Sequence, residues 1–182
     1  RESTIKICNQ TPQKINIPKD IEASELPTLI SLGLVNIEQD PRAVLQFKGG
    51  ETEGLKRLNY YLWETNLLQT YKLSRNGLIG GDYSSKFSVW LTAGCLSARE
   101  IYWEIKKYEK EKGANDSTYW LIFELLWRDY FRFMFKKHGD KYFKEAGFKG
   151  KTQDVDPNQE ALFTKWKNAE TGQPFIDANM NE

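Results

Sequence analysis

An all-α fold is predicted by three features of the chain. From Phe47 onward, apolar residues recur at intervals of three and four. No alternating apolar–polar stretch of useful length follows that point. Helix start and stop signals punctuate the same region at helix-length spacings. The 10 Phe, 9 Tyr and 6 Trp of this 182-residue sequence all lie after Gln46, so the material for a core lies there too.

Residues 1–46 are expected to form no core of their own. They hold four of the six prolines (Pro12, Pro18, Pro27 and Pro41), and only short Ile/Leu stretches break their polar character. Such a segment reads as an interdomain linker, an extended lead-in lying on a neighbouring surface, with a further domain expected upstream. Residues 47–182 are then the helical domain. After Gly49-Gly50, Thr52 is the expected cap of a helix whose Leu55, Leu58 and Leu62 share a face. Ser97-Ala98-Arg99-Glu100 has capping-box spacing and starts a second helix with Ile101, Ile105 and Tyr108 on one side. Asn115-Asp116-Ser117 is the next start signal. The longest helix is expected from about Thr118 to about Lys137, with Gly139 ending it. A short helix is expected around 163–167, and Thr171-Gly172-Gln173-Pro174 reads as a turn into another.

Counting excludes several chemistries. Charge is balanced at 26 Lys+Arg against 25 Asp+Glu, so nucleic acid cannot be held by net charge alone. One histidine, His138, argues against a histidine-based metal site or a Ser-His-Asp triad. It reads as a helix-end residue facing the dipole. Two cysteines, Cys8 and Cys95, exclude a disulfide scaffold and fit a reducing, cytosolic compartment; Cys95 is expected to be buried. No run approaches the roughly 18 apolar residues of a membrane span, so no membrane partner is expected.

Two segments could carry chemistry. Gly77-Leu-Ile-Gly80-Gly81-Asp82-Tyr83-Ser84-Ser85-Lys86-Phe87-Ser88 combines glycines, three serine hydroxyls and a lysine just before an apolar run. Such a loop suits a phosphate, but spacing alone favours the plainer reading, a turn with a serine helix cap. It lacks the Gly-Lys-Ser/Thr triplet of a Walker loop. On a helix, Glu124, Trp127, Arg128 and Phe131 form one stripe. A carboxylate, an indole and a guanidinium together can hold a planar heterocycle. The alternative is a plain ion pair between Glu124 and Arg128. Phe163-x-x-Trp166 with the Thr171-to-Met180 segment reads as structural packing, and the Lys106-to-Lys112 run as a solvated helix face.

Taken together the segments resemble the photolyase/cryptochrome flavoproteins, and among them the DASH cryptochromes. The residues carrying this are Phe47-Lys-Gly-Gly-Glu51, Tyr71-Lys-Leu-Ser-Arg75-Asn-Gly-Leu78, Gly81-to-Ser88, Gly94-Cys-Leu-Ser97, Asn115-Asp-Ser-Thr-Tyr-Trp120, Glu124-to-Phe133 and Thr171-Gly172…Pro174…Asp177-Ala-Asn-Met180, in family order. The resemblance implies FAD bound in an all-helical domain, of which this chain would hold the first half. It implies light-driven repair of cyclobutane pyrimidine dimers, preferably in single-stranded DNA, by a carbon–carbon lyase, or else blue-light sensing without repair. It places Tyr71, Ser84, Ser85, Phe87, Ser88 and Arg128 at the cofactor. It puts Glu124 and Trp127 at the flipped-out lesion and Arg75 near the DNA backbone, and it calls for no metal. The chemistry would be the cofactor's, with the protein supplying orientation and electrostatics.

Against the family pattern, Val89 and Ala98 stand where proline is usual, Asn181 where arginine is usual, and Asp156 where an outer electron-transfer tryptophan is usual. A folate antenna would require a preceding α/β domain. The second half of the FAD domain would come from a longer protein or a partner chain; a split or decayed form that binds no flavin alone is the other reading. The expected location is cytoplasmic, or organellar if a transit peptide lies upstream.

Overall fold

A computed structural model of the chain describes residues 18, 25–35, 38, 40–152 and 154–181. The described residues are helical with no strand among them, as the sequence predicts. Much of the expected lead-in, and Cys8 with it, lies outside the described residues. Those described within it form one 3-10 turn, Ile30–Leu32, with exposed side chains around it. The chain divides into two compact units, Arg1–Trp127 and Arg128–Glu182.

In the first unit, helix α1 (Glu51–Asn59) runs directly into a π-helical turn, Tyr60–Glu64. The expected Thr52 cap is not formed. Gly50 occupies the N-cap with φ 94°, and Glu51 and Glu53 complement the dipole of the first turn. Leu55 is also not on the buried face, being 37% exposed, while Leu58 and Leu62 are buried. The buried face is instead Gly54, Arg57, Leu58, Tyr61 and Leu62. Gly54 explains the shift, because an added Cβ there would lie 2.8 Å from Leu96 Cγ and 3.2 Å from Trp90 Cδ1. The bare backbone at that point lets the next segments pack close.

A 3-10 turn (Leu67–Thr70) leads into the one-turn helix α2 (Tyr71–Ser74); a loop then reaches α3 (Ser88–Thr92). Helix α4 (Ala98–Lys112) starts as its sequence predicts. Ser97 Oγ accepts from the Arg99 N–H, and the Glu100 carboxylate accepts from the Ser97 N–H. Ile101, Ile105 and Tyr108 are fully buried. The long helix α5 (Asp116–His138) is capped by Asn115, whose Oδ1 accepts from the N–H groups of Ser117 (2.8 Å) and Thr118 (3.0 Å). Its Leu121 and Leu125 complete a core that also takes in Tyr71, Phe87 and Trp90. Cys95 is half-buried rather than buried, since it lies in the turn after α3.

The second unit begins inside α5, which ends at His138; Gly139 follows at φ 57°, the left-handed backbone that stops a helix. It continues through a 3-10 turn (Gly139–Phe143), helix α6 (Gln159–Lys167) and helix α7 (Pro174–Asn181). No described residue of this unit is fully buried. Its aromatics pack on one another near the surface, as with Phe135 on Tyr142 at 4.7 Å.

Candidate functional site

The Gly/Ser loop is organised by a residue that lies outside it. Arg57 projects from α1, with only 7% of its side chain exposed. Its Nε donates to the Ser85 carbonyl (3.1 Å). Its Nη2 donates to the carbonyls of Gly81 (2.9 Å) and Ser84 (3.3 Å), and its Nη1 to Asp82 Oδ1 (3.0 Å). Asp82 Oδ2 accepts from the Tyr60 hydroxyl at 2.9 Å, which pushes the Tyr60 pKa up. Both oxygens of the loop's one carboxylate are therefore engaged. A buried guanidinium is tolerated here because most of its donors are matched.

The loop's own donors are left over. Among the described residues, no N–H from Leu78 to Phe87 has a hydrogen-bond acceptor. The serine-cap reading of this segment is not realised, since α3 has Phe87 at its N-cap and no side-chain cap bond. Lys86 takes a left-handed φ of 60°, uncommon for a residue with a side chain, and donates to the Tyr83 hydroxyl. Ser84 is half-buried, Ser85 buried and Ser88 exposed. The Phe87 ring is in the core, edge-on to Tyr61 at 5.9 Å, so what Phe87 can offer a ligand is its backbone N–H.

Tyr71 is 6% exposed and packs edge-on against Tyr61 at 6.4 Å. Burial raises its pKa, opposed by the neighbouring Arg75, which also hydrogen-bonds its hydroxyl. Beneath it, the Tyr61 hydroxyl and Ser74 Oγ are buried without reaching a partner, and burial drives the Tyr61 pKa up.

A second cluster joins α5 to the end of α2. Glu124 is ion-paired with Arg75, 49 residues earlier, and both are about two-thirds buried. Arg75 also lies 5.6 Å from the ring centre of Trp120, whose Nε1 is buried without a partner. Trp127 is 42% exposed and stands edge-on to Phe123 at 5.9 Å. This cluster brings together Arg75, Glu124 and the Trp120 ring, while Trp127 offers an accessible indole on the same helix. Arg128 is the first residue of the second unit and lies 3.4 Å from Asp129.

Sequence reasoning missed Arg57. The available signal was an arginine three residues after Gly54 and beside Leu58, on what becomes the buried face. A charged residue there needs a partner set, and only the fold shows which. Among the described residues no group of three or more His, Cys, Asp or Glu could hold a metal ion. No helix among them is long and apolar enough to cross a membrane.

Residues 120–182 match the family model described as the FAD binding domain of DNA photolyase. Over 180 residues the chain is 47% identical to a cryptochrome DASH of Natronomonas pharaonis, covering 99% of this chain and 38% of that relative. It is 53% identical over 172 residues to a cryptochrome DASH of Gloeobacter violaceus, covering 94% and 34%. The chain thus spans about a third of the length of the curated relatives it matches. The crystal structure of a Synechocystis cryptochrome superposes with a TM-score of 0.75 at 50% identity, over 87% of this chain and 32% of that one. The loop's donor set fits the diphosphate of FAD: free amides, three hydroxyls and no uncompensated carboxylate.

Proposed function

Because the chain belongs to the photolyase/cryptochrome family, and within it is most similar to the DASH cryptochromes, we propose that it is the FAD-holding part of a light-driven pyrimidine-dimer lyase acting preferably on single-stranded DNA. The observation that carries this is the 81–88 loop, three of whose carbonyls are held by Arg57 and whose amides up to Phe87 are free. Ser84, Ser85 and Ser88, with the Phe87 amide, would hold the diphosphate, and Tyr71 and Arg128 would lie near the cofactor. When bound, reduced FAD supplies a light-driven electron to the lesion. The chain's own residues bind and orient. Trp127 would stack on the flipped-out dimer, whose extrusion costs only a few kcal/mol because its stacking is already impaired. Glu124 would accept hydrogen bonds from the dimer, with Arg75 beside it near the DNA backbone.

Remaining flavin contacts would come from sequence beyond this chain, in one polypeptide or in a partner. The proposed compartment is the cytoplasm or, by analogy with plant relatives described as chloroplastic/mitochondrial, an organelle.

The test is to mix the chain with FAD, pass it through gel filtration and read the blue flavin band. Co-eluting flavin supports the reading, whereas a colourless protein peak removes it for this chain alone. In FAD-loaded full-length protein, blue light should restore dimer-containing single-stranded oligonucleotides. Trp127→Ala should weaken lesion binding while sparing flavin content. Light-responsive flavin without repair would favour a photoreceptor.

A further inference from the structure

We infer that Arg57 is the positioning residue of the 81–88 loop, the group that turns its peptides so that their N–H groups and serine hydroxyls face an anion. In a trans peptide, the carbonyl of one residue and the N–H of the next point in opposite directions. The chain contains no cis peptide bond among its described residues. Arg57 fixes the carbonyls of Gly81, Ser84 and Ser85 toward its guanidinium. The N–H groups of Asp82, Ser85 and Lys86 therefore point away from it. Lys86, with its left-handed φ of 60°, is followed by Phe87 in the right-handed region (φ −70°, ψ −15°). That alternation makes successive N–H groups converge, the geometry of an anion-binding nest.

The arrangement removes the two features that would repel an anion. Three of the loop's carbonyl dipoles, those of Gly81, Ser84 and Ser85, are turned inward, and Asp82 is neutralised by Arg57 on one oxygen and hydrogen-bonded by Tyr60 on the other. Arg57 itself is buried beneath the loop and would act through it, without touching the ligand. A lysine at 57 keeps the charge but not the fork, so its three donors sit on one nitrogen and cannot span the four acceptors that arginine reaches from three.

The inference rests on the cofactor reading in one respect, that the anion is the diphosphate of FAD. The test separates the two by titrating the unmutated chain and Arg57→Lys with FAD, ADP and riboflavin, with far-UV circular dichroism as the check on folding. Arg57→Lys should lose roughly tenfold affinity for both diphosphate ligands and leave riboflavin affinity unchanged. A purely structural role would weaken all three alike, and FAD and ADP affinities unchanged from those of the unmutated chain would overturn the proposal. If Arg57→Lys does not fold, ADP titration of the unmutated chain followed by amide NMR decides the matter. The Asp82, Ser85 and Lys86 amides should shift, together with that of Phe87, and shifts that leave Asp82, Ser85 and Lys86 unmoved would overturn the proposal. ADP binding at those amides without FAD binding would defeat the flavin reading and leave this one standing. FAD binding with those amides unmoved would do the reverse, and binding of neither ligand would sink both.

Discussion

Two loops each lead into a helix of this chain, and they are held in opposite senses. The 81–88 loop is held by its carbonyls. Arg57, from 24 to 28 residues away, takes those of Gly81, Ser84 and Ser85. The 171–173 loop is held by its donors. Asp177, six residues ahead, accepts from the N–H groups of Thr171 (2.9 Å) and Gly172 (3.0 Å) and from the Thr171 hydroxyl (2.5 Å). A cationic clamp leaves amides over, and an anionic clamp uses them up. Only the first loop therefore has amides left to offer an anion, although both contain glycine and hydroxyl residues. From the residues alone both loops read more readily as structural, and the phosphate alternative is open only for the first; the polar partner is what separates them.

The largest expected effect that bears on this contrast is Arg57→Met. It leaves three carbonyls and a carboxylate without their donor, and should lower stability by about 3 kcal/mol in urea unfolding. A loss below about 1 kcal/mol would show that the loop is not held this way. Next is the pair Ser85→Ala and Ser88→Ala, which should reduce FAD retention severalfold with a stability change within about 0.5 kcal/mol for the exposed Ser88. Unchanged flavin occupancy would make the two loops equivalent after all.

Asp177→Asn tests the other clamp. The Thr171 hydroxyl, with the neighbouring amides, holds the Asp177 carboxyl below its ordinary value of 3.8. A lowered acid pKa contributes stability above the unfolded value and loses it as pH falls through the folded one. The native chain should therefore be the more stable at pH 7, and the two should converge in acid below the ordinary aspartate range. A gap that persists there would deny Asp177 its charge-based role.

The smallest effect is expected at Glu100, whose pKa is raised by burial and by Glu51 and Glu104. A raised acid pKa costs stability once pH climbs past the ordinary glutamate value. Glu100→Gln keeps an acceptor for the Ser97 N–H and removes the charge. It should melt slightly higher at pH 7, with the advantage vanishing near pH 4.5 and below. A lower melting temperature at pH 7 would mean that the carboxylate's cap bond outweighs its desolvation.

The helices were legible because their signals are local. Ser97 with Glu100, Asn115 with Thr118, and Gly139 all act within a turn or so, and the Ile101–Ile105–Tyr108 face follows from helical period alone. The candidate site was legible only in part. The serine loop announced its donors, but not the arginine that frees them. The α5 stripe announced a carboxylate, but not that Arg75 would ion-pair with it from 49 residues away. Thr52 and Leu55 misled because Gly50 and Gly54 moved the cap and rotated the buried face.

By itself, then, the sequence determined the all-helical class, the starts of α4 and α5, the end of α5 and the donors the Gly/Ser loop could offer. Those depend on side chains within a few residues of one another along the chain. The tertiary structure decided which charges are buried and which backbone groups remain free. Those depend on what a residue meets from tens of residues away, and there the cost of an unmatched polar group selects the partner.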